Sequence, residues 1–410
     1  MKQARRAERA RGGIYTPAVV LLALTVAVSF LGIGFVMPLR ALYGVRIGAS
    51  SVEIGLMASV ALLTGFLAAP AIGWLSDRVG HRTVLWLGLA AHGLLILAYI
   101  PISDPIQLIA LRGLEGIAIV AVVPPARALM TALAPRSRQG EALGLLSSAQ
   151  MSGILLGPVI GTLLASQVGY TPSFLVAAIP LVFGALGARL LLPGDRERLA
   201  AAATDAGTSG EAPALYAALF SRPLLLAYGL SAVLAVTSGL VTAIWSIFML
   251  ARGASLPVIG LSYTTYAIPA ALATPFAGRL SDRRGRFAPV LAGLLLYAVI
   301  YFLFGVVLSP LVLVLLSGIE GFAAAMARSA LDGFVADVMP QGARGKVQAN
   351  YSAAGTAGSL VAATASGFLY AIGPGVPFVV AGAIFLLAAG VVCLPALTRL
   401  FHTAGRLRAA

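Results

Sequence analysis

Twelve mostly apolar runs divide this chain, near residues 17–39, 52–73, 83–101, 105–124, 143–168, 173–192, 224–250, 257–278, 287–308, 311–327, 347–371 and 376–397. A helix crossing the roughly 30 Å hydrocarbon layer of a bilayer needs about 20 such residues. Only 10% of the 410 residues are charged, against about 25% in an ordinary soluble protein. So few charges cannot clothe a surface facing water, and a soluble fold is excluded. The 46 Gly and 23 Pro follow no period and sit among apolar runs, which excludes a collagen-like or disordered chain. The first run follows a basic start, as a signal peptide would. It is too long for one and lacks a small-x-small cleavage site, so it reads as a retained helix.

The one sustained break in hydrophobicity separates six runs from six and reads as a flexible linker. It predicts a six-helix bundle over 1–193, a cytoplasmic linker over 194–222 and a second six-helix bundle over 223–410. The halves match at an offset of 205 residues. G-W-L-S-D-R-V-G-H-R from Gly73 is answered by G-R-L-S-D-R-R-G-R from Gly278. At the same offset Gly55 pairs with Gly260, Pro70 with Pro275, Gly88 with Gly293 and Pro135 with Pro340. Gly113, Glu115 and Gly116 pair with Gly318, Glu320 and Gly321. A duplicated six-helix unit in parallel orientation is a symmetry that secondary transporters carry.

The formal charge of +14 would suggest nucleic acid in a soluble protein. In a membrane protein, Lys and Arg gather in cytoplasmic loops. With both termini and the even-numbered turns in the cytoplasm, Arg40, Arg46 and Arg252 alone fall on the far side, and Arg112 falls within a span. The other basic residues lie inside. This predicts a multi-pass cell-membrane protein with cytoplasmic termini and no nucleic-acid partner. The single cysteine, Cys393, allows no disulfide within the chain. Together with three scattered histidines it offers no zinc site.

Twelve spans in two repeats, with the Gly73 loop motif occurring twice in register, resemble the major facilitator superfamily. The resemblance covers nearly the whole chain. It implies an all-α integral membrane fold of twelve transmembrane helices in two pseudo-symmetric six-helix bundles. Gly73 allows close helix packing, Gly80 can take a positive φ in a short turn, and Asp77 can accept hydrogen bonds from Arg or from the first amides of span 3. In the family this motif latches one transport conformation. That role carries to Gly73, Asp77, Arg78, Gly80 and Arg82, and in the second copy to Gly278, Asp282, Arg283 and Gly285. In span 5, Gly153, Gly157, Pro158 and Gly161 form a small-residue stripe with a helix-bending proline. This is similar to the motif that marks proton-coupled antiporters, especially twelve-span drug exporters. At the same offset the second half has Gly358, Ala362, Ala363 and Ser366, without the proline.

Charges within a membrane cost about 2.5–3.5 kcal/mol each at mid-span and usually serve function. Three stand out here: Arg112 and Glu115 in span 4, and Glu320 in span 10. Arg112 lies three residues before Glu115, on the same helix face, and favours its charged form. The residue matching Arg112 in the second half is Ser317, and Glu320 has no base within a helical turn. A lone buried carboxyl can gain and lose a proton, so Glu320 is assigned as the proton carrier. Arg112 and Glu115 are assigned as a substrate-responsive ion pair in the same coupling machinery. Arg127 and Asp332, at matching cytoplasmic ends of spans 4 and 10, form a candidate inner gate.

In the fold that the resemblance implies, spans 1, 4, 7 and 10 surround a central cavity, with spans 2, 5, 8 and 11 contributing. Those spans offer Met37, Gln150, Trp245, Phe248, Tyr263, Tyr266, Met326 and Asn350 as substrate-binding candidates. Aromatic and methionine side chains re-pack around varied apolar ligands. The reading is a monomeric, lipid-embedded secondary transporter, not an enzyme, that exports small amphipathic or cationic compounds in exchange for protons. It requires no cofactor and no metal, and no G-x-x-x-x-G-K-[ST] loop for ATP is present. The alternatives are export or exchange of one metabolite or lipid, proton-coupled uptake, or a polytopic sensor or membrane enzyme.

Overall fold

A computed structural model describes residues 14–135, 138–194, 219–340 and 343–401. Among these residues the regular elements are helices. They are α1 (Pro17–Arg46), α2 (Ser51–Val79), α3 (His81–Leu97), α4 (Pro105–Leu133), α5 (Gln139–Val168) and α6 (Tyr170–Leu190). Then come α7 (Arg222–Ala251), α8 (Leu256–Arg284), α9 (Phe287–Val306), α10 (Pro310–Val338), α11 (Arg344–Ile372), α12 (Val376–Val392) and the short α13 (Pro395–Phe401). Most of the predicted linker lies outside the described residues, as does the basic N-terminal segment.

Ten of these helices are long and apolar enough to cross a membrane, or eleven if α12 and α13 form one bent span. The remaining one, α3, has 17 residues, about 26 Å at 1.5 Å per residue. Several expected boundaries shift. The tenth span runs on past residue 327 to Val338, and the fourth runs on to Leu133. The fourth is interrupted at residues 121–122, where Pro124 and Pro125 withhold backbone donors from the preceding turn. The twelfth stops short of 397, and the chain bends by 79° between α12 and α13. Many large apolar side chains face outward, including Leu24, Phe66, Phe183, Phe276, Val361 and Leu387. That pattern suits lipid as the surrounding solvent.

The chain forms two compact units: one holds residues 1–37, 63–103 and 110–208, the other 38–62, 104–109 and 209–410. Within the first, α3 packs on α6; within the second, α9 packs on α12, α7 on α11 and α8 on α10. The repeat seen in the sequence therefore reappears as repeated helix pairing. It is clearest where backbones approach most closely. In the first unit α1 and α5 meet at Gly34, where a Cβ would stand 2.7 Å from the Gly153 carbonyl oxygen. In the second unit the equivalent Gly239 of α7 faces Ser359, Ala362 and Ala363 of α11, with a Cβ 2.8 Å from that of Ala362. Likewise Gly65 of α2 sits on Gly116 of α4, and Ala270 of α8 on Gly321 of α10. Small residues at these points let helices associate through van der Waals contact where lipid supplies no hydrophobic driving force.

Candidate functional site

The two acids singled out from the sequence each turn toward the third helix of their own repeat. Glu115 is 1% exposed and Glu320 3% exposed. In the first unit, Tyr99 donates a 2.7 Å hydrogen bond to Glu115 Oε2, and Arg112 donates to the same oxygen. The other oxygen, Oε1, lies 3.6 Å from Nε2 of the buried His92. In the second unit, the Tyr301 hydroxyl donates a 2.8 Å hydrogen bond to Glu320 Oε1. Among the described residues Glu320 has no ion-pair partner. Ser317, at the place of Arg112, turns its hydroxyl to the Leu313 carbonyl instead. One acid is held by a cation and a phenol, the other by a phenol.

The span 5 stripe packs as its composition requires. A Cβ on Gly157 would stand 2.6 Å from the Gly34 carbonyl carbon, while Gly153 and Gly161 face Phe30 and Phe35 of α1. Pro158 lies inside α5, and the hydroxyl of Thr162, four residues on, donates to its carbonyl.

The repeated loop motif divides. Gly80 and Gly285 both take positive φ, 101° and 85°, as expected for short turns that only glycine makes easily. The close packing expected at Gly73 is not present: a Cβ there, or at Gly278, would meet nothing within 4 Å. Both glycines lie toward a helix end that carries no neighbour at that point among the described residues. Asp77 is exposed, and Arg78 lies over the Trp74 ring, 4.1 Å from its centroid. Arg82 caps the end of α6 through the carbonyls of Ala188 and Arg189. A cation suits that end of the helix dipole. In the second copy the buried Arg286 binds Asp282 at 2.7 Å, Asp337 at 2.8 Å and Ser281 at 3.1 Å. Burial opposes the charge of Arg286, but Asp337 and Asp282 outweigh it and hold the guanidinium above its ordinary range. At the matching place in the first copy, His81 shares a 2.8 Å hydrogen bond with Ser76. Arg283 is exposed.

The substrate-binding candidates also separate. Trp245 and Phe248 are 4% and 0% exposed. They sit in an aromatic cluster with Phe304 of α9 and Phe378 of α12, with ring centroids 4.9 Å apart for Trp245–Phe304 and 4.3 Å for Phe248–Phe378. A π-helical turn at Val241–Trp245 widens α7 just there. Trp245 donates to Ser262 at 2.8 Å, and Ser246 and Tyr263 share a 2.9 Å hydrogen bond. Trp245, Phe248 and Tyr263 are thus packing residues of the second unit rather than open lining. Sequence position alone did not reveal that α7 rotates these rings toward α9 and α12. Met37, Gln150, Tyr266, Met326 and Asn350 are half-buried. The side-chain nitrogen of Gln150 is buried without a hydrogen-bond partner among the described residues. Of the proposed gate, Arg127 is exposed, and Asp332 accepts a 2.9 Å hydrogen bond from Tyr351. Among the described residues no three His, Cys, Asp or Glu side chains gather to hold a metal ion.

A family model described as Major Facilitator Superfamily matches residues 22–251 and 230–404. The chain belongs to the major facilitator superfamily. It is 33% identical over 156 residues to an uncharacterized MFS-type transporter of Methanocaldococcus jannaschii, covering 38% of this chain and 40% of that one. It is 35% identical over 151 residues to the multidrug resistance protein MdtG of Yersinia enterocolitica, covering 36% of each. These alignments thus span about two fifths of those relatives' lengths. The match to MdtG of Salmonella paratyphi A is 28% identical over 303 residues, 70% of this chain and 72% of that one. Among solved structures, the nucleoside transporter NupG is similar with a TM-score of 0.72 at 12% identity, covering 94% of this chain and 100% of that chain. A bacterial homolog of the human lysosomal transporter Spinster, inward-facing and unoccupied, gives 0.71 at 16%, covering 95% and 96%. At these identities the structures support the fold alone.

His92, Tyr99, Tyr301, Arg286 and Asp337 were not anticipated. For His92 a signal existed: it is a polar residue inside an apolar run, and the 205-residue offset pairs it with another, Tyr297.

Proposed function

We propose that this transporter exports small amphipathic or cationic compounds in exchange for protons by alternating access. The observation that carries the reading is the environment of Glu320: a buried carboxyl with one phenolic donor and no ion-pair partner among the described residues. Burial without a counter-charge penalises the ionised form. Such a group binds a proton when enclosed and releases it when water reaches it. Arg112 and Glu115 complete the coupling machinery as a pair whose mutual attraction responds to substrate. The names of the MdtG relatives support drug-like substrates. Gln150, with its unpartnered amide nitrogen, and the half-buried Met37, Tyr266, Met326 and Asn350 are the side chains through which substrate is held.

On this reading both termini face the cytoplasm of a cell-membrane protein, and Arg127 and Asp332 serve its inner gate. The repeats act as two bundles, 1–193 and 223–410, joined by the linker. The protein works as a monomer.

Reconstituted vesicles test the proposal. With an imposed proton gradient, the wild type moves a lipophilic cation against its gradient. Glu320→Gln loses that proton-driven export and still binds the cation. Wild-type export by Glu320→Gln would overturn the assignment. A second reading, exchange of a single metabolite or lipid, is favoured instead if no cation in a varied panel raises the melting temperature while one defined metabolite does.

A further inference from the structure

A furrow runs along the outer face of the first unit, between α2, α3 and α4. It holds about 460 Å³ and is lined only by Gly, Ala, Val, Leu and Ile. Its floor exists because α3 and α4 meet there through small residues: a Cβ on Gly88 would stand 2.7 Å from that of Ala121. Ala91 and Ala118 also line it with short side chains, while Leu87, Leu94 and Leu114 are exposed along its rims. From Val84 to Leu95 the furrow follows α3, a rise of about 17 Å. That is close to the roughly 15 Å of hydrocarbon in one leaflet, half of the bilayer core.

The end of the furrow nearest the α2–α3 turn is marked by tryptophan and arginine. Trp74 lies five residues before the end of α2, and Trp86 five residues after the start of α3. Both rings are thus about 8 Å from the turn. Each carries a guanidinium over its face: Arg78 is 4.1 Å from the Trp74 centroid and Arg189 5.0 Å from that of Trp86. Tryptophan gathers at the membrane–water interface, so these rings mark the depth at which headgroups begin. Trp74 and Arg78 are both exposed, and Arg78 stands one helical turn beyond Leu75, a lining residue of the furrow. Asp77 is exposed too, but helical periodicity sets it on the side of α2 opposite Ile72 and Leu75. Arg82 is engaged with the carbonyls at the end of α6.

We propose that this furrow binds one acyl chain of a phospholipid whose anionic headgroup meets Arg78. The apolar lining and the length of the furrow suit a single chain within one leaflet. The guanidinium at its mouth selects the headgroup, because a zwitterionic lipid brings a cation of its own and an anionic lipid does not. The second repeat supplies the contrast: Arg279 stands at the place of Trp74, and Leu296 at the place of Ala91. A leucine takes up the room that Ala91 leaves, and no indole marks the interface there.

The test measures lipid binding to the full chain in detergent and needs no transport. Native mass spectrometry reads the affinity of the first lipid bound, for phosphatidylglycerol and for phosphatidylcholine with the same acyl chains. The wild type should hold phosphatidylglycerol about fivefold more tightly, the effect of one basic side chain near an anionic headgroup. Arg78→Gln should lose most of that preference, and Ala91→Phe should weaken the binding of both lipids by obstructing the furrow. No preference in the wild type, an unchanged preference in Arg78→Gln, or unchanged affinities in Ala91→Phe would overturn the proposal. Labelling of the wild type locates the site without any variant, and decides if Ala91→Phe does not fold. Phosphatidylglycerol with a photoreactive diazirine on its acyl chain should mark the peptides holding Leu87–Leu95 and Leu114–Ala121. Labels spread evenly over the lipid-facing helices would mean a bulk lipid shell only, and would overturn the site. Proton-driven export is measured separately, so either idea can fail alone.

Discussion

Tyr301 donates a 2.8 Å hydrogen bond to Glu320, and among the described residues no ion pair joins it there. In the other repeat the matching acid, Glu115, is held by Arg112 and Tyr99 on one oxygen and approached by His92 on the other. Divergence between two copies of one helical unit has thus given the same buried carboxyl two electrostatic settings. The first prediction concerns the weaker setting. Tyr301→Phe removes the only donor to Glu320 among the described residues, which costs about 1–3 kcal/mol for an unsatisfied buried group. A lowered melting temperature in detergent is the readout. The double variant Tyr301→Phe with Glu320→Gln should lose less than the sum of the singles, because both act on one contact.

The second prediction concerns the stronger setting. Arg112→Leu leaves Glu115 charged, buried and without its guanidinium, a loss of about 3–5 kcal/mol for a broken buried pair. Removing both, as Arg112→Leu with Glu115→Leu, should recover much of that stability. Thermal unfolding of the four proteins in one double-mutant cycle measures this.

The third prediction separates two glycines that look alike in sequence. Gly157 faces the α1 backbone at Gly34, so Gly157→Ala overpacks the contact and costs about 1–3 kcal/mol. Gly73 has open space at its Cβ position. Gly73→Ala should therefore leave the melting temperature unchanged or raise it slightly, since alanine favours helix by about 0.5–1 kcal/mol.

The fourth concerns the turn after α8. Arg286 bridges Asp282 and Asp337, and the side chain of Asp337 is only 10% exposed. Arg286→Gln should lower stability by about 1–3 kcal/mol. Asp337→Asn in the same chain should restore part of the loss. The equivalent change in the first copy, His81→Gln, breaks a neutral hydrogen bond to Ser76 and should cost less.

Much of the architecture was legible because it is carried by single residues with few alternatives. Gly80 and Gly285 mark turns that need positive φ, and Gly153, Gly157 and Gly161 mark the face on which another backbone lies. The acids were legible because a charge in an apolar run is costly and therefore conspicuous. Their partners were harder to see. His92 lies 23 residues before Glu115, and only the packing of α3 against α4 brings the two together. The direction in which Trp245 and Phe248 point was hidden for a different reason. A π-helical turn shifts the phase of α7, so helical counting from sequence misplaces those rings. Helix ends such as residues 121–122 depend on where prolines interrupt the backbone ladder, and apolar composition alone runs across them.

In the proposed mechanism, buried carboxyls exchange protons as substrate binds. Proton release from the purified protein on addition of a lipophilic cation tests this most directly, measured with a pH-sensitive dye in weakly buffered detergent. The account predicts release by the wild type and none by Glu320→Gln, although the latter still binds the cation. Release of equal size from both proteins would contradict it.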